Sequence, residues 1–160
     1  MATVYVETTI VSYLTARRSR DFIVRAHQEL TRKWWHSRRD RYRLVISARV
    51  IDEAQCGNRA EAKKRLRLLS RLEVLAANPD LEALAENVRS ELHFPEKAAV
   101  DAFHLACGIH YDVDYLLTWN CSHLANAHTL RHLADLCRRE GLWLPIVCTP
   151  QEMLPGEEGL

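Results

Sequence analysis

The sequence predicts an α/β fold, a doubly wound sheet with mainly parallel strands and helices on its faces. Short apolar runs alternate along the chain with longer segments whose apolar residues recur at helical spacing. The apolar runs do not alternate strictly with polar residues, as befits strands covered on both faces. Several of them stop at polar residues, and in such sheets ligands bind at the carboxyl ends of the strands.

Residues 2–6 read as the first strand, and residues 9–15 as a short helix or turn at its carboxyl end. Ser19 is placed to cap a long helix running to about Arg39, with Phe22, Ile23, Ala26, Leu30 and Trp34 on one face. Trp34 is then core, whereas Trp35 lies off that stripe and packs at a domain edge, in a dimer contact or against a base. Leu44–Ser47 is a second strand, followed by a helical turn over Ala48–Gln55 that carries Asp52 and Glu53 and closes at Gly57. Arg59–Leu72 is an amphipathic helix with Ala62, Leu66, Leu69 and Leu72 inward, and Glu73–Ala76 is a third strand. Asn78-Pro79-Asp80 opens a helix ending near His93, and Pro95 separates it from a helix starting near Ala98. Tyr115–Thr118 is a strand, Ala127–Glu140 a helix closed by Gly141, and Ile146–Cys148 the last strand. Thr149 is placed to cap a terminal turn begun at Pro150. No linker or internal repeat divides this pattern, so residues 1–160 read as a single domain.

With 48% hydrophobic and 27% charged residues, the composition excludes a disordered or fibrous chain. No stretch approaches membrane-spanning length and no basic leader precedes an apolar run, so the expectation is a cytoplasmic protein without a membrane partner. Five scattered cysteines without a C-x-x-C pair encode neither a disulfide framework nor a cysteine-rich zinc site. The net charge of +1 conceals an asymmetry: residues 1–72 carry 17 Lys/Arg against 7 Asp/Glu, and residues 73–160 carry 5 against 14. The basic clusters, Arg17-Arg18 with Arg20, Arg32-Lys33, Arg38–Arg43 and Lys63–Arg67, are either solvated helix faces or a face for nucleic acid or an acidic partner.

The chemistry is concentrated in carboxylates. At helical spacing Asp101 shares a stripe with Ala98, Ala102, Leu105 and Ile109, where a purely structural helix would place an apolar residue. A carboxylate turned inward is costly unless something pairs with it. The first strand stops at Glu7-Thr8-Thr9, Glu53 follows the second, and the strand at Tyr115 runs into Asn120. Glu7, Glu53 and Asp101 could thus share one pocket with Asn120 as a neutral fourth oxygen ligand, and a cation would neutralise their repulsion. Hard oxygen ligands select Mg²⁺ or Mn²⁺, which support phosphodiester hydrolysis. The plain alternatives are that Glu7 caps the next helix, Glu53 is a surface residue with Asp52 inward instead, and Asp101 pairs with Arg or His. His104, one turn after Asp101, could bond its carboxylate or reach a substrate phosphate, or be structural; Thr8, Thr9 and Thr118 could support ligands, contact phosphate or serve as caps. Cys121-Ser122-His123 lacks the spacing of a soft-metal site, and no Walker loop, dinucleotide fingerprint, H-E-x-x-H or nucleophile elbow is present.

In order and spacing these pieces resemble the PIN domain, the fold of the VapC-type toxin ribonucleases. Val4–Ile10 stands where that family opens with strand, acid and Ser/Thr; Glu53 follows the second strand as its Glu does. Val100–Ala106 resembles its D-A-x-x-x-A helix, and Leu116–Asn120 its strand ending in T-x-D. The resemblance implies a three-layer α/β/α fold and a divalent-metal-dependent endoribonuclease, with Glu7, Glu53, Asp101 and Asn120 as the catalytic and metal-holding residues. It also implies RNA as substrate, a 5′-phosphate product, a protein antitoxin and a homodimer. Glu7 replaces the usual first Asp and Asn120 the usual last one, which removes a negative charge; the run Tyr115–Asn126 is similar to a PIN subgroup with Asn at that position. The competing readings are a catalytically weak or inactive RNA-binding or regulatory protein with this fold, and an α/β hydrolase of small phosphate esters with Glu7 or Asp101 as nucleophile or base.

Overall fold

A computed structural model describes residues 1–156. Five strands, β1 (Thr3–Val6), β2 (Arg43–Ser47), β3 (Glu73–Leu75), β4 (Tyr115–Leu117) and β5 (Ile146–Cys148), form one sheet in the order β3-β2-β1-β4-β5. Every pairing is parallel, with Tyr5 opposite both Val45 and Leu116, Ser47 opposite Leu75, and Leu117 opposite Cys148. Seven α-helices cover the sheet: α1 (Thr8–Thr15), α2 (Phe22–Arg38), α3 (Ala48–Ala54), α4 (Arg59–Leu69), α5 (Pro79–Glu91), α6 (Ala99–His110) and α7 (Ala127–Glu140). This is the predicted parallel α/β architecture. The chain winds outward from β1 to β3, then returns to the other side of β1 for β4 and β5, so the winding reverses between β1 and β4. The crevice at the carboxyl ends of those two strands is where such a sheet accepts a ligand.

Val4, Tyr5 and Val6 of β1 and Leu116 and Leu117 of β4 are fully buried beneath helices, which explains their continuous apolar runs. The helix ends follow local chemistry. Asn58, Asn78 and Asn126 cap α4, α5 and α7 through side-chain oxygens that accept from backbone N–H groups, and Gly141 closes α7 with φ at 63°. β3 is an edge strand that leaves Val74 exposed, and Leu72 lies in the turn after α4 rather than on the helix.

The long second helix departs from the expectation in two ways. Its cap is Asp21, which accepts from the N–H groups of Ile23 and Val24; Ser19 instead accepts from Asp21 N–H through its hydroxyl. Its buried face is also rotated: Gln28, Thr31, Trp34 and Trp35 are buried, whereas Phe22 and Ile23 are 81% and 70% exposed. Polar residues can face inward there because each is satisfied. Gln28 donates to Arg17 C=O and accepts from Ser19 N–H, and Thr31 donates to His27 C=O and accepts from the Trp119 indole. Thr149 precedes the turn begun at Pro150 as expected, but the capping contact is reversed: the Glu152 carboxylate reaches back and accepts from the Thr149 N–H and hydroxyl.

Candidate active site

Glu7 leaves β1 at its carboxyl end and caps α1, so the strand-to-helix turn fixes its backbone. Its side chain is only 3% exposed. One oxygen, Oε2, accepts from Thr9 N–H at 3.1 Å, the Thr9 hydroxyl at 2.5 Å and the Thr118 hydroxyl at 2.7 Å. All three donors are neutral, and no Lys, Arg or His ion pair to Glu7 is present among the described residues. A buried carboxylate held this way has no hydrogen-bonded counter-charge.

Glu53 is turned inward from α3, and neighbouring Asp52 is exposed. Its Oε1 accepts from the Thr8 hydroxyl and from His104 Nε2, both at 2.7 Å. His104, fully buried on α6, also meets the Tyr5 hydroxyl through Nδ1 at 2.7 Å, and that hydroxyl lies 2.7 Å from Ser47 Oγ. A closed chain therefore runs Ser47–Tyr5–His104–Glu53–Thr8. Burial pushes the His104 imidazole down, but the Glu53 hydrogen bond and the charges of Glu7, Glu53 and Asp101 outweigh it, and the ring titrates above its ordinary value. Burial likewise pushes Glu53 up, and the bonds from His104 and Thr8 with the His104 charge bring it below the ordinary carboxylate value. The two directions agree on a charged pair. The Tyr5 hydroxyl is raised well above its usual range, chiefly by burial, and stays protonated.

One ligand atom each from Glu7, Glu53 and His104 lie within 4.8 Å of one another. Glu7 Oε1 and Glu53 Oε2 take no hydrogen bond among the described residues, whereas both ring nitrogens of His104 are engaged. The oxygen donors, and a Glu7 that bonds only neutral groups, fit a hard divalent ion.

Asp101 stands outside that tight group, is half-buried, and reaches Glu7 through Asn120 and Thr118. Its Oδ1 accepts from Asn120 Nδ2 at 3.1 Å and its Oδ2 lies 2.7 Å from His123 Nδ1. Asn120 also accepts from His123 N–H, and its own N–H donates to the Thr118 hydroxyl that holds Glu7. Two hydrogen-bonded sets thus meet at the β1/β4 crevice: Glu7, Asn120 and Asp101, joined through the Thr118 hydroxyl with Thr9 also on Glu7, and Glu53 with Thr8 and His104. Thr118 and His104 are both fully buried, so they touch carboxylates and not the open crevice. Sequence reasoning did not include Tyr5 or His123 in the network. Tyr5 reads as an ordinary strand residue, and His123 comes back to Asp101 only because the turn after Asn120 closes through the Leu124 and Ala125 N–H groups.

The basic clusters do not converge here. A groove of about 720 Å³ lies toward the amino ends of β1 and β2, where Trp35, Arg39, Tyr42, Lys64, Arg67 and Arg71 line it. Arg65, by contrast, is spent on the carbonyls of Ala54 and Cys56 that end α3. No helix among the described residues is long and apolar enough to cross a membrane.

The fold is shared with VapBC2 from Rickettsia felis, solved bound to a DNA fragment from their promoter, at a TM-score of 0.58 and 16% identity over 92% of this chain and 98% of that one. VapBC-1 from nontypeable Haemophilus influenzae gives a TM-score of 0.57 and 15% identity, with the same two coverages, 92% and 98%. No curated protein matches the sequence. The PIN domain family matches residues 4–120, the stretch from β1 through Asn120 that holds Glu7, Glu53 and Asp101, and the chain belongs to that family.

Proposed function

We propose that this chain is a divalent-metal-dependent endoribonuclease, one domain over residues 1–160, that hydrolyses RNA phosphodiester bonds. The observation that carries the reading is Glu7: a buried carboxylate with neutral partners, beside Glu53, at the point where the sheet's winding reverses. In this reading Glu7, Glu53 and Asp101 hold Mg²⁺ or Mn²⁺ and Asn120 completes or orients the shell. A bound ion supplies neutralisation of phosphate charge and activation of water. The chain's own part is positional. Thr9 and Thr118 occupy Oε2 of Glu7, and Thr8 and His104 occupy Oε1 of Glu53, so each carboxylate offers its other oxygen to the crevice. Hydrolysis adds water across the P–O3′ bond and leaves a 5′-phosphate and a 3′-hydroxyl. The basic groove lined by Arg39, Lys64, Arg67 and Arg71 lies away from the carboxylates, so in this reading it holds RNA backbone distant from the cleaved phosphate.

We further propose that the protein acts in the cytoplasm as a homodimer and as the toxin of a toxin–antitoxin pair. The family membership and the fold shared with two VapBC proteins support this. The neutral Asn120 and the pairing of Asp101 with His123 favour one second reading, an RNA-binding protein of the same fold with weak or absent catalysis. Incubation with mixed structured and single-stranded RNA in Mn²⁺ or Mg²⁺ separates the two. The nuclease reading expects cleavage that disappears with a chelator and in Asp101→Ala. Intact RNA under every metal, from folded protein that binds RNA in a salt-sensitive way, overturns it in favour of the second reading.

A further inference from the structure

Beside the carboxylates lies an aromatic surface that the hydrolytic reading leaves unused. Trp119, between Thr118 and Asn120, is fixed at two points: its backbone N–H donates to the Thr9 hydroxyl at 2.8 Å, and its indole N–H donates to the Thr31 hydroxyl at 2.7 Å. The His27 ring lies flat on the indole, with centroids 3.9 Å apart and an interplanar angle of 11°. Tyr13 closes the cluster at 6.4 Å from the Trp119 ring and 6.1 Å from His27. Ile23, one turn before His27 on the same face of α2, is 70% exposed.

The cluster is anchored inside and open outside. Trp119 is buried, whereas His27 and Tyr13 are half-buried. Neither ring nitrogen of His27 nor the Tyr13 hydroxyl has a hydrogen-bond partner among the described residues, yet Trp34 Nε1 alone is both buried and unpartnered there. The polar edges of His27 and Tyr13 therefore reach solvent. The Thr9 hydroxyl that fixes Trp119 is the same one that donates to Glu7, so the aromatic surface and the carboxylates share an anchoring atom.

We infer that His27 and Tyr13, backed by Trp119 and walled by Ile23, form a platform on which an unpaired nucleobase flanking the scissile phosphate stacks. The inference rests on the nuclease reading and names part of its substrate: a single-stranded segment with a base free to unstack. Stacking on a rigid ring requires no particular base identity, because every base has a π-face. The outward hydroxyl and ring nitrogens supply donors and acceptors for the base's edge.

The test is an abasic scan. Labelled single-stranded RNA and versions with one abasic ribose at successive positions are titrated by fluorescence anisotropy against the full chain in chelator, where no cleavage is expected. The platform expects one or two positions at which loss of the base weakens binding about 5- to 150-fold, the ~1–3 kcal/mol of one base–aromatic stack. His27→Ala and Tyr13→Ala should each reduce that discrimination, and His27→Phe, which keeps a ring on Trp119, should retain it. If intact and abasic RNA bind alike at every position while salt-sensitive binding persists, the platform is wrong and the nuclease reading stands. If His27→Ala weakens intact and abasic RNA equally, the ring is structural and the platform is wrong. If no RNA binds in chelator at any salt concentration and none is cleaved in Mn²⁺ or Mg²⁺, the nuclease reading falls and takes the platform with it.

Discussion

Tyr5→Phe isolates the buried chain that holds Glu53. The substitution conserves volume and removes a single hydroxyl, so no cavity term enters. What it removes lies 2.7 Å from both Ser47 Oγ and His104 Nδ1, and those two residues are almost completely buried. Water therefore cannot replace the lost partner. Each buried group left unsatisfied costs ~1–3 kcal/mol, and dispensing with the phenol's own desolvation returns part of that. The expected net loss is ~2–4 kcal/mol, a fall in Tm of about 4–16 °C for a chain of this size. Urea unfolding in chelator, monitored by tryptophan fluorescence, measures it. Ser47→Ala should cost less in the Tyr5→Phe background than in the wild type, because the serine has already lost its partner there. Mn²⁺ titration, followed by its electron paramagnetic resonance signal, should show weaker binding to Tyr5→Phe, since His104 loses the contact that orients it toward Glu53. A loss of stability below ~0.5 kcal/mol would refute the reasoning, because it is smaller than the cost of a single orphaned buried group.

His104, raised above the ordinary imidazole value by Glu53, contributes stability that is complete below the unfolded histidine pKa of ~6.5 and lost as pH rises through the folded value. An NMR titration in chelator should place its midpoint above that of exposed histidines and lower it in Glu53→Gln; a midpoint at or below the ordinary value sinks the charged-pair assignment. Burial pushes the thiols of Cys107 and Cys148 up to about 12, and Cys56 and Cys121 are exposed. At pH 8 a disulfide reagent should modify Cys56 and Cys121 quickly and reach Cys107 and Cys148 only on unfolding; uniform reaction of all thiols would contradict the packing. Asn126 caps α7 by accepting from His128 and Thr129 N–H, so Asn126→Ala should cost ~1 kcal/mol in urea unfolding, and no measurable change would mean the cap is idle.

Much of this was legible in the linear pattern because the physics involved is local. Strands buried on both faces write themselves as apolar runs, and asparagine caps and Gly141 mark helix ends within a turn of where they act. Asp101 signalled its network by occupying a position of the apolar stripe. The errors fell where a distant segment decided the outcome. Phe22 and Ile23 looked like the start of a core face, but the α1–α2 loop satisfies Gln28, and His27 C=O and the Trp119 indole satisfy Thr31, so the buried side of α2 is rotated. Nothing near Tyr5 or His104 in sequence indicates that one hydroxyl joins them across 99 positions. The basic clusters counted as one electrostatic half, yet folding sends Arg39, Lys64, Arg67 and Arg71 to a groove away from the carboxylates.

The sequence by itself determined the parallel α/β class, the strands after which Glu7, Glu53 and Asn120 follow, and the family motifs, because periodicity and capping are set by neighbours within a few residues. Only the tertiary structure decided how those groups are charged and shared. It turned Glu53 rather than Asp52 inward, paired Glu53 with His104 and Asp101 with His123, and left Glu7 buried among neutral hydroxyls. The physical reason is that the cost of a buried charge depends on which donors stand within about 3 Å, and chain topology brings those donors from remote positions.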